Sequence, residues 1–178
     1  MKIVSYNVRG LGGGEKRVEV QRLVQEKCPF VLCIQESKLS YVDDFMVQSI
    51  WGDAPYGFSY QLSVGASGGL ITVWNSSRID VWSTSSIAHT LVIYGRVILT
   101  GEDIIIIINV YAPCDYAGKP ELWTRLTSFV VSKTDSCVCL CGDFNSTRSM
   151  EERRGRGTVF RQVEADEFNK FIDDTLFG

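Results

Sequence analysis

The sequence predicts a layered α/β (α+β) sandwich with mixed strand directions, contained in one domain that spans residues 1–178. Short apolar runs typical of buried strands alternate with segments whose apolar residues recur at the helical period. No linker, low-complexity segment or solenoid repeat divides the chain, and its length is sufficient for one domain with a sizeable core. Strands with intervening helices of this kind fold as sheets covered by helices.

The first half of the chain consists of predicted strands around one helix. Residues 2–8 form a strand-like run, and a glycine-rich turn follows. Residues 15–28 carry apolar side chains at helical spacing, and Pro29 ends this helix. Residues 30–34 are continuously apolar, which is typical of a strand buried on both faces. Two further strands are predicted at residues 56–60 and 69–74, with the turn between them at residues 65–69.

The second half adds four predicted strands and two helices. The apolar run at residues 104–111 is the longest, and it predicts a central strand. A helix follows Pro120, with an apolar stripe made of Leu122, Leu126, Phe129 and Val130. The other predicted elements are strands at 79–83, 90–100 and 137–142, a hairpin turn at 101–103 and an amphipathic helix from about 162 to 173.

Composition and charge narrow the classes of function. The formal net charge is −3, so nucleic-acid binding would require the basic side chains to cluster. The strongest apolar run, Ile104–Ile108, is far shorter than the roughly 20 residues of a membrane-spanning helix, and we expect no membrane partner. Because a strand begins at residue 2, we expect no signal peptide.

The six cysteines indicate the compartment more than the chemistry. Cys137, Cys139 and Cys141 alternate along one strand and therefore share a face. A metal site is one interpretation, but no Cys-x-x-Cys pair or histidine accompanies them; small apolar side chains lining a sheet is the other. Free thiols without a secretion signal favour a reducing compartment, so we expect a nuclear or cytoplasmic protein that is not secreted. We also expect a monomer.

Polar side chains collect where four apolar strands end. The first strand ends at Asn7, the second at Glu36, the long central strand at Asn109 and Tyr111, and the fourth at Asp143 and Asn145. Strand ends in layered α/β folds present side chains to a cleft. Carboxylate and amide oxygens suit Mg²⁺, which commonly serves phosphate substrates. Taken singly, each Asn or Asp could instead be a turn former.

The chain's one histidine lies apart from these strand ends in the sequence. The stretch Ser-Ile-Ala-His-Thr predicts that His89 lies in the middle of a strand. We therefore expect it to be a structural or surface residue, and no nucleophilic triad is apparent.

Five motifs in order carry a family resemblance. They are Lys2-Ile3-Val4-Ser5-Tyr6-Asn7-Val8-Arg9-Gly10, Ile34-Gln35-Glu36-Ser37-Lys38, Gly68-Gly69-Leu70, Asn109-Val110-Tyr111-Ala112-Pro113 and Gly142-Asp143-Phe144-Asn145-Ser146. Together they resemble the endonuclease/exonuclease/phosphatase superfamily, and most closely the endonuclease domains of plant LINE-type (non-LTR) retrotransposons. The resemblance implies a four-layer sandwich of two mostly antiparallel or mixed β-sheets with helices outside.

The resemblance also implies an activity, which is Mg²⁺-dependent hydrolysis of DNA phosphodiesters, with Mn²⁺ as the alternative ion. Glu36 would bind the metal and Asn7 would lie beside it at the metal and phosphate. Tyr111 would lie near the scissile phosphate. Asp143 would position or activate the attacking water, and Asn145 would orient the phosphate.

One departure from the family's pattern lowers the expected activity. A C-terminal Ser-Asp-His that supplies a histidine to the family's site has no counterpart before Gly178. We expect this chain to be truncated, to lack the last strands of one sheet and to have little activity. The alternatives are another member of the superfamily, an apurinic endonuclease or a phosphoinositide or sphingolipid phosphohydrolase, and a non-catalytic remnant domain.

An arginine-rich loop follows the last polar strand end. It contains Arg148, Arg153, Arg154 and Arg156, interleaved with glycines. Arginine makes bidentate contacts with phosphates, so the loop is a candidate for binding the DNA backbone. The other interpretation is a solvated loop whose charges are balanced by Glu151 and Glu152.

Overall fold

The computed structural model describes residues 1–64, 67–99, 104–152 and 160–176. The chain divides into two compact units. The first comprises Met1–Tyr111 and Ser136–Asp143, and the second comprises Ala112–Asp135 and Phe144–Gly178. Among the described residues, no helix is both long enough and apolar enough to cross a membrane.

The first unit contains two mixed β-sheets of four strands each. The first sheet consists of β1 (Ile3–Asn7), β2 (Val31–Gln35), β3 (Tyr56–Val64) and β4 (Ser67–Asn75), in the order β1-β2-β4-β3. The second consists of β5 (Ile79–Ile87), β6 (Thr90–Val97), β7 (Ile104–Tyr111) and β8 (Cys137–Asp143), in that order. β1 and β2 are parallel, as are β7 and β8, and the remaining pairs are antiparallel. The predicted α/β (α+β) sandwich with mixed sheets is confirmed.

Two helices of this unit pack on the first sheet. They are α1 (Gly14–Lys27) and α2 (Asp44–Trp51). Val20 of α1 and Ile50 of α2 share a buried cluster with Leu32 and Ile34 of β2. The other face of β2 belongs to a second cluster, which lies between the sheets and includes Val31, Cys33, Ile93, Ile105 and Ile107. Alternate residues of β2 therefore enter different cores, and the prediction of a strand buried on both faces is confirmed.

The prediction of a central strand at 104–111 is also confirmed. β7 has hydrogen-bonded neighbours on both sides, β6 and β8, and its residues 105–110 are buried. In contrast, α2 was not predicted. Asp43 caps it by accepting a hydrogen bond from the Met46 backbone N–H at 2.8 Å. The capping pattern Asp-x-x before an apolar run was present in the sequence, but a helix of eight residues gives only a short periodic signal.

The second unit contains the helices α3 (Lys119–Val131) and α4 (Gln162–Leu176). Both were predicted. Aromatic rings join them, since Trp123 of α3 stacks on Phe171 of α4 with ring centroids 4.9 Å apart and lies 5.3 Å from Phe168. Phe144, just after β8, completes the cluster at 6.1 Å from Trp123. These stacked and tilted ring pairs pack the two helices against each other.

Candidate active site

A hydrogen bond between strand ends joins the two sheets at the candidate site. Asn7 ends β1 in the first sheet, and Asp143 ends β8 in the second. The Asn7 Nδ2 donates to Asp143 Oδ2 at 2.6 Å, and the Asn7 Oδ1 accepts from the Arg9 backbone N–H at 3.0 Å. Both ends of the Asn7 carboxamide are therefore held. Two residues 136 positions apart, each predicted to lie at the end of a strand, are in direct contact.

Glu36 immediately follows β2 and lies at the same end of the first sheet as Asn7. Asn7 pairs in register with Gln35, so Glu36 comes directly after the residue opposite Asn7. The Lys38 Nζ contacts Glu36 Oε1 at 2.9 Å. The Glu36 side chain is 18% exposed and the Lys38 side chain 41%, so the pair is open to solvent. Lys38 stood in the motif after β2, but no role was predicted for it.

The loop that carries Glu36 is fixed by its neighbours' backbones. Gly10 N–H donates to the Glu36 carbonyl at 2.8 Å, and Ser37 N–H donates to the Gly69 carbonyl at 3.0 Å. Gly69 has φ +88°, and a Cβ there would lie 2.3 Å from Ser37 Oγ. The hairpin β3–β4 can approach this loop only because residue 69 has no side chain. Glu36 itself has φ +56°, an unusual conformation for a residue with a side chain, and one that the surrounding bonds maintain.

A buried polar bridge lies one residue before Glu36. Gln35 Nε2 donates to Asn109 Oδ1 at 2.7 Å, and Asn109 Nδ2 donates to the Ile34 and Ile71 carbonyls at 3.2 and 3.1 Å. Gln35 is 1% exposed and Asn109 0%. Removing either carboxamide would leave the other without this hydrogen-bond partner, and an unsatisfied buried polar group costs about 1–3 kcal/mol. The bridge joins β2 to β7 and so holds the two sheets together next to the site. The polar residue Asn109, which the sequence predicted at the end of the central strand, lies in this bridge.

Tyr111 ends β7 beside Asp143. The two residues are register partners in the parallel pair β7–β8. The Tyr111 backbone N–H donates to the His89 carbonyl at 3.0 Å, and His89 Nδ1 lies 3.2 Å from the Tyr111 carbonyl oxygen. His89 is exposed with φ +70° in the turn between β5 and β6, so the interpretation of this residue as part of a strand was wrong. The hairpin returns the chain and brings His89 to the same sheet end as Tyr111.

Asn145, two residues after Asp143, belongs to the second unit. It has φ +47°, a left-handed conformation that asparagine tolerates better than most residues. Its Nδ2 donates to the Ala112 carbonyl at 2.8 Å. Its own carbonyl accepts from the ammonium of Lys119, the first residue of α3. Lys119 was not predicted, because a single lysine at a helix start carries no signal of burial.

The middle one of the alternating cysteines of β8, Cys139, has a raised thiol pKa. A hydrogen bond with Cys141, together with burial, raises the pKa of the Cys139 thiol well above its ordinary value. Metal ligation requires the thiolate form. Across the part of the chain that the structure describes, no group of three or more His, Cys, Asp or Glu side chains is arranged to hold a metal ion. The raised pKa disfavours metal ligation by Cys139, which is half-buried on β8, whereas Cys137 is exposed.

Comparison with known proteins identifies the family. A family model described as "Endonuclease/Exonuclease/phosphatase family" matches residues 4–171, which is nearly the whole chain. The chain belongs to the endonuclease/exonuclease/phosphatase family. Members of this family include nucleases and phosphodiesterases, and its nucleases generally use divalent metal ions.

Several similar proteins belong with this family. The "Exodeoxyribonuclease" of Bacillus subtilis (strain 168) is 22% identical over 185 residues, which cover 97% of this chain and 71% of that protein. AP endonuclease LMAP from Leishmania major has a TM-score of 0.72 at 18% identity, over 98% of this chain and 66% of its own. An AP endonuclease from Archaeoglobus fulgidus has a TM-score of 0.70 at 18% identity, over 97% and 70%. Truncated Caenorhabditis elegans TDP2 has a TM-score of 0.63 at 16% identity, over 87% and 65%.

These similarities concern the fold and only part of the length of each relative. The chain spans just under two thirds of the Leishmania and Caenorhabditis chains, at 66% and 65%. At identities of 16–18%, the similarity to solved structures shows a shared fold.

The donor atoms at the strand ends of this family member fit a hard divalent cation. Glu36 offers a carboxylate and Asn7 a carboxamide oxygen from adjacent, register-paired strands. Mg²⁺ is usually bound by one or two carboxylates and keeps waters or substrate phosphate oxygens as its other ligands. The ammonium of Lys38 at 2.9 Å from Glu36 indicates that a cation is accommodated at this carboxylate.

Only one of the four predicted DNA-binding arginines can be described. Arg148 Nε donates to Asn169 Oδ1 of α4 at 2.8 Å, and Asn169 Nδ2 donates to the Arg148 carbonyl at 3.0 Å. The Arg148 backbone N–H also donates to a Glu152 carboxylate oxygen at 2.8 Å. These bonds fix the start of the loop on α4. Arg153, Arg154 and Arg156 lie outside the described residues.

Proposed function

We propose that this protein is a metal-dependent phosphodiester hydrolase that cuts DNA, of the type found in the endonuclease domains of LINE retrotransposons. The observation that carries the proposal is the Asn7–Asp143 hydrogen bond at 2.6 Å, which fixes a carboxylate at the junction of the two sheets. Glu36 follows the strand next to Asn7, and Tyr111 is the register partner of Asp143. One end of the sandwich thus carries the oxygen ligands and the carboxylate that phosphodiester hydrolysis requires.

Glu36 and Asn7 would hold the metal ion, Mg²⁺ or alternatively Mn²⁺. When bound, the ion neutralises charge on the phosphate and makes the phosphorus more susceptible to attack. The Glu36 carboxylate must exchange the Lys38 ammonium for the ion or share itself between them. Because the Lys38 side chain is 41% exposed, it can move into solvent without uncovering a buried charge.

Asp143 would act on the attacking water. Asn7 Nδ2 donates a hydrogen bond to Oδ2 of Asp143, and this bond fixes the orientation of the carboxylate. As water attacks the phosphorus, its proton passes to Asp143, and the bond from phosphorus to the leaving sugar oxygen breaks. That oxygen takes a proton from solvent. Tyr111 would donate a hydrogen bond to a phosphoryl oxygen, and Asn145 would orient the phosphate.

A nicking assay tests this function directly. Purified residues 1–178 should convert supercoiled plasmid to the nicked form in Mg²⁺, and the conversion should stop when EDTA removes the metal. A high protein concentration and a long incubation make even slow conversion measurable. Failure to nick under these conditions in either Mg²⁺ or Mn²⁺ would contradict the proposed function.

The DNA backbone would contact the arginine loop. Arg148, Arg153, Arg154 and Arg156 lie within nine residues, directly after the strand end that carries Asp143. Replacing Arg153 and Arg154 together with glutamine is expected to weaken binding to duplex DNA and to reduce the slope of log K against log salt by about 2, because each phosphate contact contributes about 0.9 to that slope. Fluorescence anisotropy at several salt concentrations measures it. Replacing Arg22 and Arg125, two arginines outside the loop, with glutamine is the control, and an unchanged slope in the loop variant would contradict the proposal.

A second candidate, endonuclease activity at abasic sites, is favoured by the two AP endonucleases of similar fold, with TM-scores of 0.72 and 0.70. Oligonucleotides with and without one abasic site distinguish the two activities. A strong preference for the abasic strand would indicate the second. For either activity we propose a monomeric protein with one domain over residues 1–178, in the nucleus or cytoplasm.

A further inference from the structure

Lys119 is a charged residue buried in the second unit. Its side chain is 1% exposed, and among the described residues it is the one charged residue that is buried. Removing an ammonium group from water is unfavourable unless charged or polar partners surround it. A methionine or leucine at the start of α3 would fill the same space at no such cost. A buried ammonium at this position is therefore tolerated only because polar or charged groups bind it.

The ammonium has two partners, and one of them is the backbone of a proposed site residue. Lys119 Nζ donates to the carbonyl oxygen of Asn145 and to Oε1 of Glu164 on α4. The Glu164 side chain is 25% exposed, so the carboxylate neutralises the ammonium and remains in contact with solvent. All three residues belong to the second unit. The lysine therefore links the start of α3, the loop after β8 and α4 through one group.

Asn145 is held on two sides by this arrangement. Its carbonyl is bound by Lys119, and its Nδ2 donates to the Ala112 carbonyl at 2.8 Å. Its φ of +47° lies in the left-handed region, which is unfavourable for a residue with a side chain. A strong, charge-assisted hydrogen bond to the carbonyl of that residue offsets this cost, because it exists only while the carbonyl faces α3.

We infer that Lys119 is a positioning residue, which holds Asn145 in its left-handed conformation so that the carboxamide keeps one direction. The inference rests on the proposed function for the role of Asn145 toward phosphate. The structural part stands apart from that role, since it concerns the order of Asn145 alone. Glu164 acts as the counter-ion of Lys119.

Nuclear magnetic resonance tests the structural part without any assay of activity. In the wild-type protein, the Lys119 ammonium should give a slowly exchanging ¹⁵N signal with a scalar coupling across the hydrogen bond to the ¹³C carbonyl of Asn145. In Lys119→Met, the side-chain amide protons of Asn145 should exchange at least about 10-fold faster than in the wild type, because the backbone bond that orders the residue is lost. Lys170→Met is the matched control, since Lys170 is an exposed lysine paired with Asp174 on α4, and it should leave the Asn145 signals unchanged.

Each outcome bears on the inference. A folded Lys119→Met protein with unchanged Asn145 side-chain signals would overturn it, as would a wild-type ammonium with no coupling to the Asn145 carbonyl. The second measurement needs no substitution, so it decides the inference even if Lys119→Met does not fold. The indole signal of Trp123, which lies in the aromatic cluster of α3 and α4, reports whether the variant keeps its packing.

Kinetics then test the connection with the proposed reaction. Small displacements of a positioned group cost up to about 10²-fold in rate, so Lys119→Met should lower kcat by about 10²-fold and leave KM nearly unchanged. The double variant Lys119→Met/Asn145→Ala should be no slower than Asn145→Ala, because the lysine acts through the asparagine. Additive losses would overturn the positioning role. If the wild type shows no turnover, the proposed function fails and the spectroscopic result still decides the structural part.

Discussion

Replacing Asp143 with asparagine is expected to lower Mg²⁺-dependent DNA nicking by about 10²–10⁴-fold, because the proposed proton acceptor for the attacking water is lost. Asparagine has nearly the same shape as aspartate, and its Oδ1 can still accept the hydrogen bond from Asn7 Nδ2 that now spans 2.6 Å. The substitution therefore removes the charge and basicity but keeps the contact between the sheets. We expect the free energy of unfolding, measured with urea, to change by less than about 1 kcal/mol.

The control is the same substitution at a surface aspartate. Asp80 lies on β5, where it forms an exposed ion pair with Arg96 at 3.2 Å. Exposed pairs contribute about 0–1 kcal/mol, and we expect Asp80→Asn to nick DNA at the wild-type rate. Nicking by Asp143→Asn at more than about one tenth of the wild-type rate would contradict the role proposed for Asp143, as would an equal loss in Asp80→Asn.

Much of the fold was predictable because hydrophobic periodicity dominates its elements. The continuous apolar run of β2 indicated a strand buried on both faces, and its residues enter two cores. The apolar run of β7 indicated a central strand, and β7 lies between β6 and β8. The predictions were weaker where amphipathicity was weak. β5 extends to Ile87, well beyond the predicted end at 83, because its outer residues are polar and exposed and so carry no apolar signal.

The candidate site was predictable to the extent that it follows from strand ends. Asn7 and Asp143 come together because β1 and β8 lie in sheets that face each other, and the sequence could place each at the end of a strand but could not state their contact. Gln35 and Lys119 were missed for a physical reason. Their importance arises from burial and from partners at 74 and 26 residues' distance along the chain, and tertiary contacts of that kind leave no local pattern.

The position of His89 shows the same limit. The sequence around residue 89 does not distinguish a strand from a tight turn, because it contains none of the glycine, proline or asparagine residues that mark turns. The structure places the turn there because β5 and β6 pair from Ile87 and Thr90 outward. That pairing depends on how β5 and β6 match along the hairpin, which is not a local property of the sequence near residue 89. It places His89 Nδ1 3.2 Å from the Tyr111 carbonyl oxygen.

Replacing Gly142 with alanine is expected to destabilise the protein by about 2–6 kcal/mol, a large part of the 5–15 kcal/mol that holds a typical domain folded. Gly142 immediately precedes Asp143 on β8 and has φ +147°. A Cβ there would lie 1.9 Å from the Val110 carbonyl oxygen and 2.8 Å from the Val110 nitrogen. These are backbone atoms of the central strand and cannot rotate away, so overpacking adds about 1–3 kcal/mol to a backbone strain of similar size. Urea unfolding followed by circular dichroism measures the loss.

The matched control for this change is Gly12→Ala. Gly12 is exposed in the turn after β1, and a Cβ there would meet no atom within 4 Å. Alanine also reduces the freedom of the unfolded chain, so Gly12→Ala should be neutral or stabilising by up to about 1 kcal/mol. If Gly142→Ala unfolds at the wild-type urea concentration, β8 cannot approach β7 as closely as the structure has it. In that case the position of Asp143 beside Tyr111, and the mechanism built on it, would also be wrong. If Gly142→Ala remains folded but destabilised, the displaced strand end should reduce DNA nicking by about as much as Asp143→Asn does, because both changes remove the same carboxylate from its place next to Asn7.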